Sequence, residues 1–237
     1  MTTVDDQMVA HLQLVLPMLL VFLVGILLSS LLQVDAANAQ QYYTLQTNFA
    51  EKSVPMTAFH WGRSNLDSCI YKQEGVPNFY YVWTKLAVQS WRQALKEYSG
   101  DSMGWSITAR HVSDIKQLES CTVKIYILST YKSFPGYPNQ TGAYTTIVRN
   151  STNIDVRVYL SPEVLHGDGK TVIQLPDYAF RNSARHEIGH VLGLGHMTTE
   201  EGYLMSPVFD YWHVKHELPI TTLELKALTD AYGPGFS

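Results

Sequence analysis

Helix-period and strand-period segments interleave along this chain, which predicts a single α/β or α+β domain behind an apolar leader. Two further observations support that class. Residues 12–32 form one apolar run without a charge. Beyond it, 46% of the whole chain is aliphatic or aromatic and only 16% is charged, too apolar for a disordered polymer. A length of 237 residues suits one domain of ordinary size, or one domain plus an appendage. The net charge is −4 and Lys and Arg do not cluster, so the electrostatic footprint of a nucleic-acid binder is missing. No period of repeat-protein length is visible, which excludes solenoids and propellers.

The leader reads LQLVLPMLLVFLVGILLSSLL. As a helix it would reach about 30 Å, the thickness of a bilayer's hydrocarbon core. Two readings stay open. Ala37 and Ala39 fit the small-residue pattern of a signal-peptidase site before Gln40. The run is long for a signal peptide, however, and the segment ahead of it carries Asp5 and Asp6 and no Lys or Arg, so an uncleaved single-pass anchor also fits. Residues 1–39 are therefore a signal peptide or membrane anchor, and the rest is expected to be extracellular, secreted or anchored at the cell surface. In that oxidising setting Cys69 and Cys121 are expected to pair; two buried free thiols are the alternative. Two Asn-x-Thr sequons begin at Asn139 and Asn150.

Residues 40–56 are polar and aperiodic and read as a linker, leaving 57–237 as the domain. Short strands are expected at 58–61 and 69–71. Asn78 is placed to cap a helix whose apolar positions are Val82, Trp83, Leu86, Ala87, Trp91, Ala94, Leu95 and Tyr98, ended by Ser99-Gly100. Strands follow at 105–109, 122–128, 143–148 and 154–160, with a Pro/Gly-rich loop at 132–142. A second helix is expected from Pro176 to Leu192, ended by Gly193. A last one spans 222–232, with Thr221 and Glu224 as its capping box. His166-Gly167-Asp168 reads as a polar turn, and His213 and His216 as decoration of a solvent-facing loop.

The second helix carries His186-Glu187-Ile188-Gly189-His190-Val191-Leu192-Gly193-Leu194-Gly195-His196. His186 and His190 are one turn apart and share a helix face, so two imidazoles can grip one metal ion. Glu187 stands about 100° around the helix, beside the ion rather than on it. Gly193 and Gly195 let the chain turn and bring His196 back to the same ion. Three neutral imidazoles leave a fourth position open, as catalytic zinc sites do. Composition alone would produce these five positions with a probability of roughly 3 in 100,000.

HEIGHVLGLGH resembles the long zinc motif of the metzincin metalloproteases, and Leu204-Met205-Ser206-Pro207 resembles their Met-turn, in the form typical of matrixins. The likeness extends over roughly residues 75–235. It implies an α+β zincin catalytic domain: a twisted, mostly parallel five-stranded sheet with three helices, here preceded by an N-terminal hydrophobic helix. It implies one catalytic Zn2+ on His186, His190 and His196, Met205 as support beneath them, and Glu187 as general base. It also implies that strand 143–148 forms the upper rim of a cleft where an extended substrate pairs, and that Pro207, Val208 and Phe209 line the pocket after the scissile bond. The chain departs from matrixins at Met197, where they usually carry Ser, and it lacks their latency segment. Structural zinc, calcium and oligomeric state are left open. The expected activity is that of a metalloendopeptidase on extracellular or cell-surface proteins, with water activated by zinc and deprotonated by Glu187. A non-catalytic zinc-fold binding module and a zinc amidase acting on a non-peptide substrate are the alternatives.

Overall fold

A computed structural model describes residues 54–57, 61–62, 65–100, 106–136, 142–149, 154–166, 168–197, 202–207 and 214–233. All of these belong to one compact unit, Gln46–Ser237, while the apolar run at 12–32 and both sequons lie outside the described residues. Among the described residues no helix is long and apolar enough to cross a membrane.

The fold is mixed α/β. Strands β1 (Asn65–Lys72), β2 (Ser106–Val112), β3 (Val123–Ile127), β4 (Ala143–Arg149) and β5 (Ile154–Leu160) make a sheet in the order β2-β1-β3-β5-β4. All neighbours are parallel except β4, an antiparallel edge strand on β5. Helices α1 (Asn78–Ser99), α2 (Asp177–Val191) and α3 (Thr222–Tyr232) complete the unit. Two short strands, β6 (Glu163–Leu165) and β7 (Val172–Gln174), form a hairpin that periodicity does not reveal, because three residues show no alternation.

The central strands are buried on both faces, as parallel strands between two layers must be. Register puts Ile70, Ile125, Val158 and Thr145 in one row, and Tyr71, Tyr126, Tyr159 and Tyr144 in the next. Alternation sends these rows to opposite faces. The aliphatic row is continued by Val123, Ile127, Val156 and Leu160, all essentially inaccessible, against which α1 and α2 pack. Each such side chain contributes about 1.5–3 kcal/mol. The tyrosine row lies under Leu118, Tyr131 and Phe134, and Tyr126–Tyr159 and Tyr144–Tyr159 stack with ring centroids 4.8 Å apart. Cys69 and Cys121 are disulfide-bonded in this layer, closing β1 onto the segment before β3.

Two local expectations are corrected. Pro77, not Asn78, sits at the N-cap of α1 and no side chain caps it. The buried face of α1 is Tyr80, Thr84, Ala87, Val88, Trp91 and Leu95, whereas Val82 and Leu86 are 41% and 50% exposed. The apolar positions of α1 cover two stripes, and only tertiary packing chooses between them. The strand expected at 58–61 has only Trp61 among the described residues, outside any strand. The antiparallel bridge just before it pairs Met56 with Leu194. The capping box of α3 forms as expected, with Thr221 N donating to Glu224 Oε2 at 2.6 Å.

Candidate metal centre

Helix α2 is held in register by side chains far away in sequence. Trp91 Nε1 of α1 donates to Arg185 O (2.8 Å), Trp61 Nε1 to Val191 O (2.7 Å) and Tyr232 Oη of α3 to Leu192 O (2.7 Å). The last carbonyls of a helix lack intrahelical partners, and here two of those donors supply them. Gly193 then takes φ +97°, a region that side-chain-bearing residues avoid, and turns the chain. Residues 54–57 run along the outgoing segment: Thr57 N donates to Gly193 O (2.8 Å) and Gly195 N to Pro55 O (2.6 Å). A Cβ on Gly195 would stand 3.1 Å from Pro55 O, so this close approach favours glycine.

The turn delivers His196 to the two helix histidines. The Nε2 atoms of His186, His190 and His196 lie 3.0, 3.1 and 3.2 Å from one another. Their Nδ1 atoms face the other way: His186 Nδ1 lies 2.7 Å from Leu204 O and His190 Nδ1 2.8 Å from Leu194 O. A carbonyl can only accept, so Nδ1 of both rings carries the proton and Nε2 presents a lone pair. Two lone pairs this close, with the third imidazole's Nε2 beside them, favour a cation among them. A triangle of about 3.1 Å sides has its centre about 1.8 Å from each corner, so Zn–N bonds of about 2.0–2.1 Å are met by an ion about 1 Å off its plane. The group fits a metal ion on geometry and on tautomer.

The electrostatics agree. Burial, and then the neighbouring imidazole, pushes His186 down to about 3, and burial pushes His190 down to about 4. His196 is lowered by burial as well. All three are neutral at pH 7, the form that ligates metals. His186 is only 5% exposed while His196 is exposed, so the cluster opens to solvent on one side. Asp67, Cys69 and Cys121 also lie close together, but there the two sulfurs are bonded to each other.

Glu187 is buried beside the cluster at 5% exposure, and burial pushes its carboxyl up to about 8. Its Oε2 accepts a hydrogen bond from Thr145 Oγ1 of the edge strand at 2.6 Å. Sequence reasoning missed Thr145, although alternation along β4 already separated 143, 145 and 147 from the tyrosine face. Met205 is fully buried against α2: a Cβ on Gly189 would overlap its Sδ and stand 3.0 Å from its Cε. Met197 N donates to Met205 O at 2.8 Å, so the turn at 204–206 is tied to the segment that carries His196. Pro207 is exposed, and Val208, Phe209 and His213 lie outside the described residues. His216 is exposed, as expected of a surface loop. Asp168 accepts from the backbone of Lys170 and Thr171 at 2.8 Å each, the polar turn expected there.

No family model matches the chain, and no curated protein does. Among solved structures it is similar to metalloproteinase-II from Bacteroides fragilis, at 13% identity and a TM-score of 0.40. That match covers 76% of this chain, and the chain spans about 56% of that structure's length. A likeness so slight leaves the functional reading to the geometry of the site itself.

Proposed function

We propose that the protein is a zinc-dependent metalloendopeptidase of the metzincin type, matrixin-like, acting on extracellular or cell-surface proteins. The observation that supports this reading most is the triangle of Nε2 atoms, open to solvent on one side, with a buried carboxylate from the adjacent residue of the same helix. When bound, a zinc ion on these three imidazoles supplies Lewis acidity toward water and a substrate carbonyl. Glu187 takes the proton of the attacking water and returns it to the departing amine. In the metal-free site its burial raises its affinity for a proton, and a bound cation would act against that rise. Strand β4 is the sheet's edge, and its outer side offers backbone groups to an extended peptide. Leu204 O holds the His186 ring and Met205 packs beneath helix α2, and Pro207, Val208 and Phe209 are the residues we assign to the pocket after the cleaved bond. The leader at 12–32 exports the domain, as a signal peptide or as a surface anchor.

A fluorogenic peptide library assayed with and without a chelator tests the reading, with metal content measured alongside. The expected outcome is chelator-sensitive cleavage by the native protein. Glu187→Gln is expected to retain the metal and lose about 10²–10⁴ in kcat. Stoichiometric metal without cleavage of any peptide would instead favour the binding module or the amidase.

A further inference from the structure

In the row His111-Ile70-Ile125-Val158-Thr145, the three central positions are aliphatic and the two on the edge strands are polar. Of those two, Thr145 on β4 faces the candidate base on helix α2. Thr145 Oγ1 stands 2.6 Å from Glu187 Oε2 and 3.3 Å from Glu187 O. A hydroxyl has one proton, and the shorter contact is the one that takes it. Among the described residues, Thr145 is the one side chain that hydrogen-bonds this carboxylate. A glutamate has three rotatable side-chain bonds, so a buried carboxylate without such a partner would have no fixed direction.

We propose that Thr145 is a positioning residue for Glu187: its hydroxyl pins Oε2 and so reserves Oε1 for the proton in transit. Because Thr145 belongs to the strand on which an extended substrate would pair, the same strand sets both the peptide and the base. Misplacing a catalytic group by an ångström costs orders of magnitude in rate, which is the scale of effect to expect. The rate effect rests on the peptidase reading above; the placement of the carboxylate does not.

The test uses Thr145→Val, which keeps shape and strand preference and removes only the hydroxyl, and Thr145→Ser, which returns it. Crystal structures of both metal-loaded variants come first. In Thr145→Val the Glu187 carboxylate is expected to leave its present rotamer or to split between several, and in Thr145→Ser to return to it. An unmoved, single rotamer in Thr145→Val overturns the proposal whether or not the protein is a peptidase. On a cleaved peptide, Thr145→Val is expected to lose about 10–100-fold in kcat with KM within twofold and metal content unchanged. Thr145→Ser is expected to recover most of that loss. A kcat for Thr145→Val equal to that of the native protein also overturns the proposal. Should Thr145→Val not fold, Thr145→Ala is read by the same two criteria. Failure of the native protein to cleave any peptide removes the peptidase reading alone, and the rotamer of Glu187 still decides the role of Thr145.

Discussion

Gly189 shows how tightly single residues define the site. It sits between two ligands in sequence, and its missing side chain is the space that Met205 fills. A methyl group there overlaps the Met205 sulfur and presses on Trp91 Cζ2 at 3.2 Å. Both neighbours are fully buried and have little room to yield. Gly189→Ala is therefore expected to cost about 1–3 kcal/mol, read by denaturant titration of the metal-free protein, and to weaken metal binding as Met205 is displaced. An unchanged midpoint would show that the turn beneath the histidines is softer than this packing implies. The residue scale is also where the sequence is most legible. The spacing of His186, Glu187, His190 and His196 follows from helix geometry and one glycine turn, and the three imidazoles do converge. Thr145 is 42 residues from Glu187 and no local period links them; only strand register brings them together.

At the scale of elements, helix α2 depends on donors from both ends of the domain. Tyr232 Oη donates to Leu192 O and lies 3.3 Å from Trp61 N, which donates to it. Burial pushes this phenol up to about 12, so it stays protonated and able to donate at every relevant pH. Tyr232→Phe removes the donor to the buried Leu192 carbonyl and an acceptor of the Trp61 amide, at a cost of about 1–3 kcal/mol. Hydrogen exchange should show faster opening at residues 190–196 than in the native protein, and unchanged protection there would contradict the coupling. The elements themselves were largely foreseeable: strands 154–160 and helix 222–232 carry complete periodic and capping signals. What escaped was short or set by partners. Hairpin β6–β7 has too few residues for a period, and the choice of buried stripe on α1 is made by α2 and the sheet.

For the whole molecule, the buried imidazoles link metal, pH and stability. The depressed values of His186 and His190 mean that, without metal, the unfolded chain takes up protons that the folded one refuses. Their contribution is full above the usual histidine value of 6.5 and drains away as pH falls toward about 3–4. The histidine contribution in the chelator-treated protein should thus fall by several kcal/mol across that window, while Glu187, raised to about 8, contributes in the opposite sense. Denaturant midpoints of metal-free Glu187→Gln measured at pH 7 and pH 4 check the histidine part alone, and equal midpoints in that variant would mean that the histidines are solvated without metal. A five-stranded, mostly parallel sheet was expected from resemblance, and its strand order was not foreseen, since strand periodicity gives faces but not neighbours. The central claim is that three Nε2 atoms hold one divalent ion, and anomalous diffraction at the zinc edge tests it most directly. One full-occupancy peak bonded to His186, His190 and His196, with a fourth position facing solvent, is the predicted result; no peak at that point, or a peak bonded elsewhere, would contradict it.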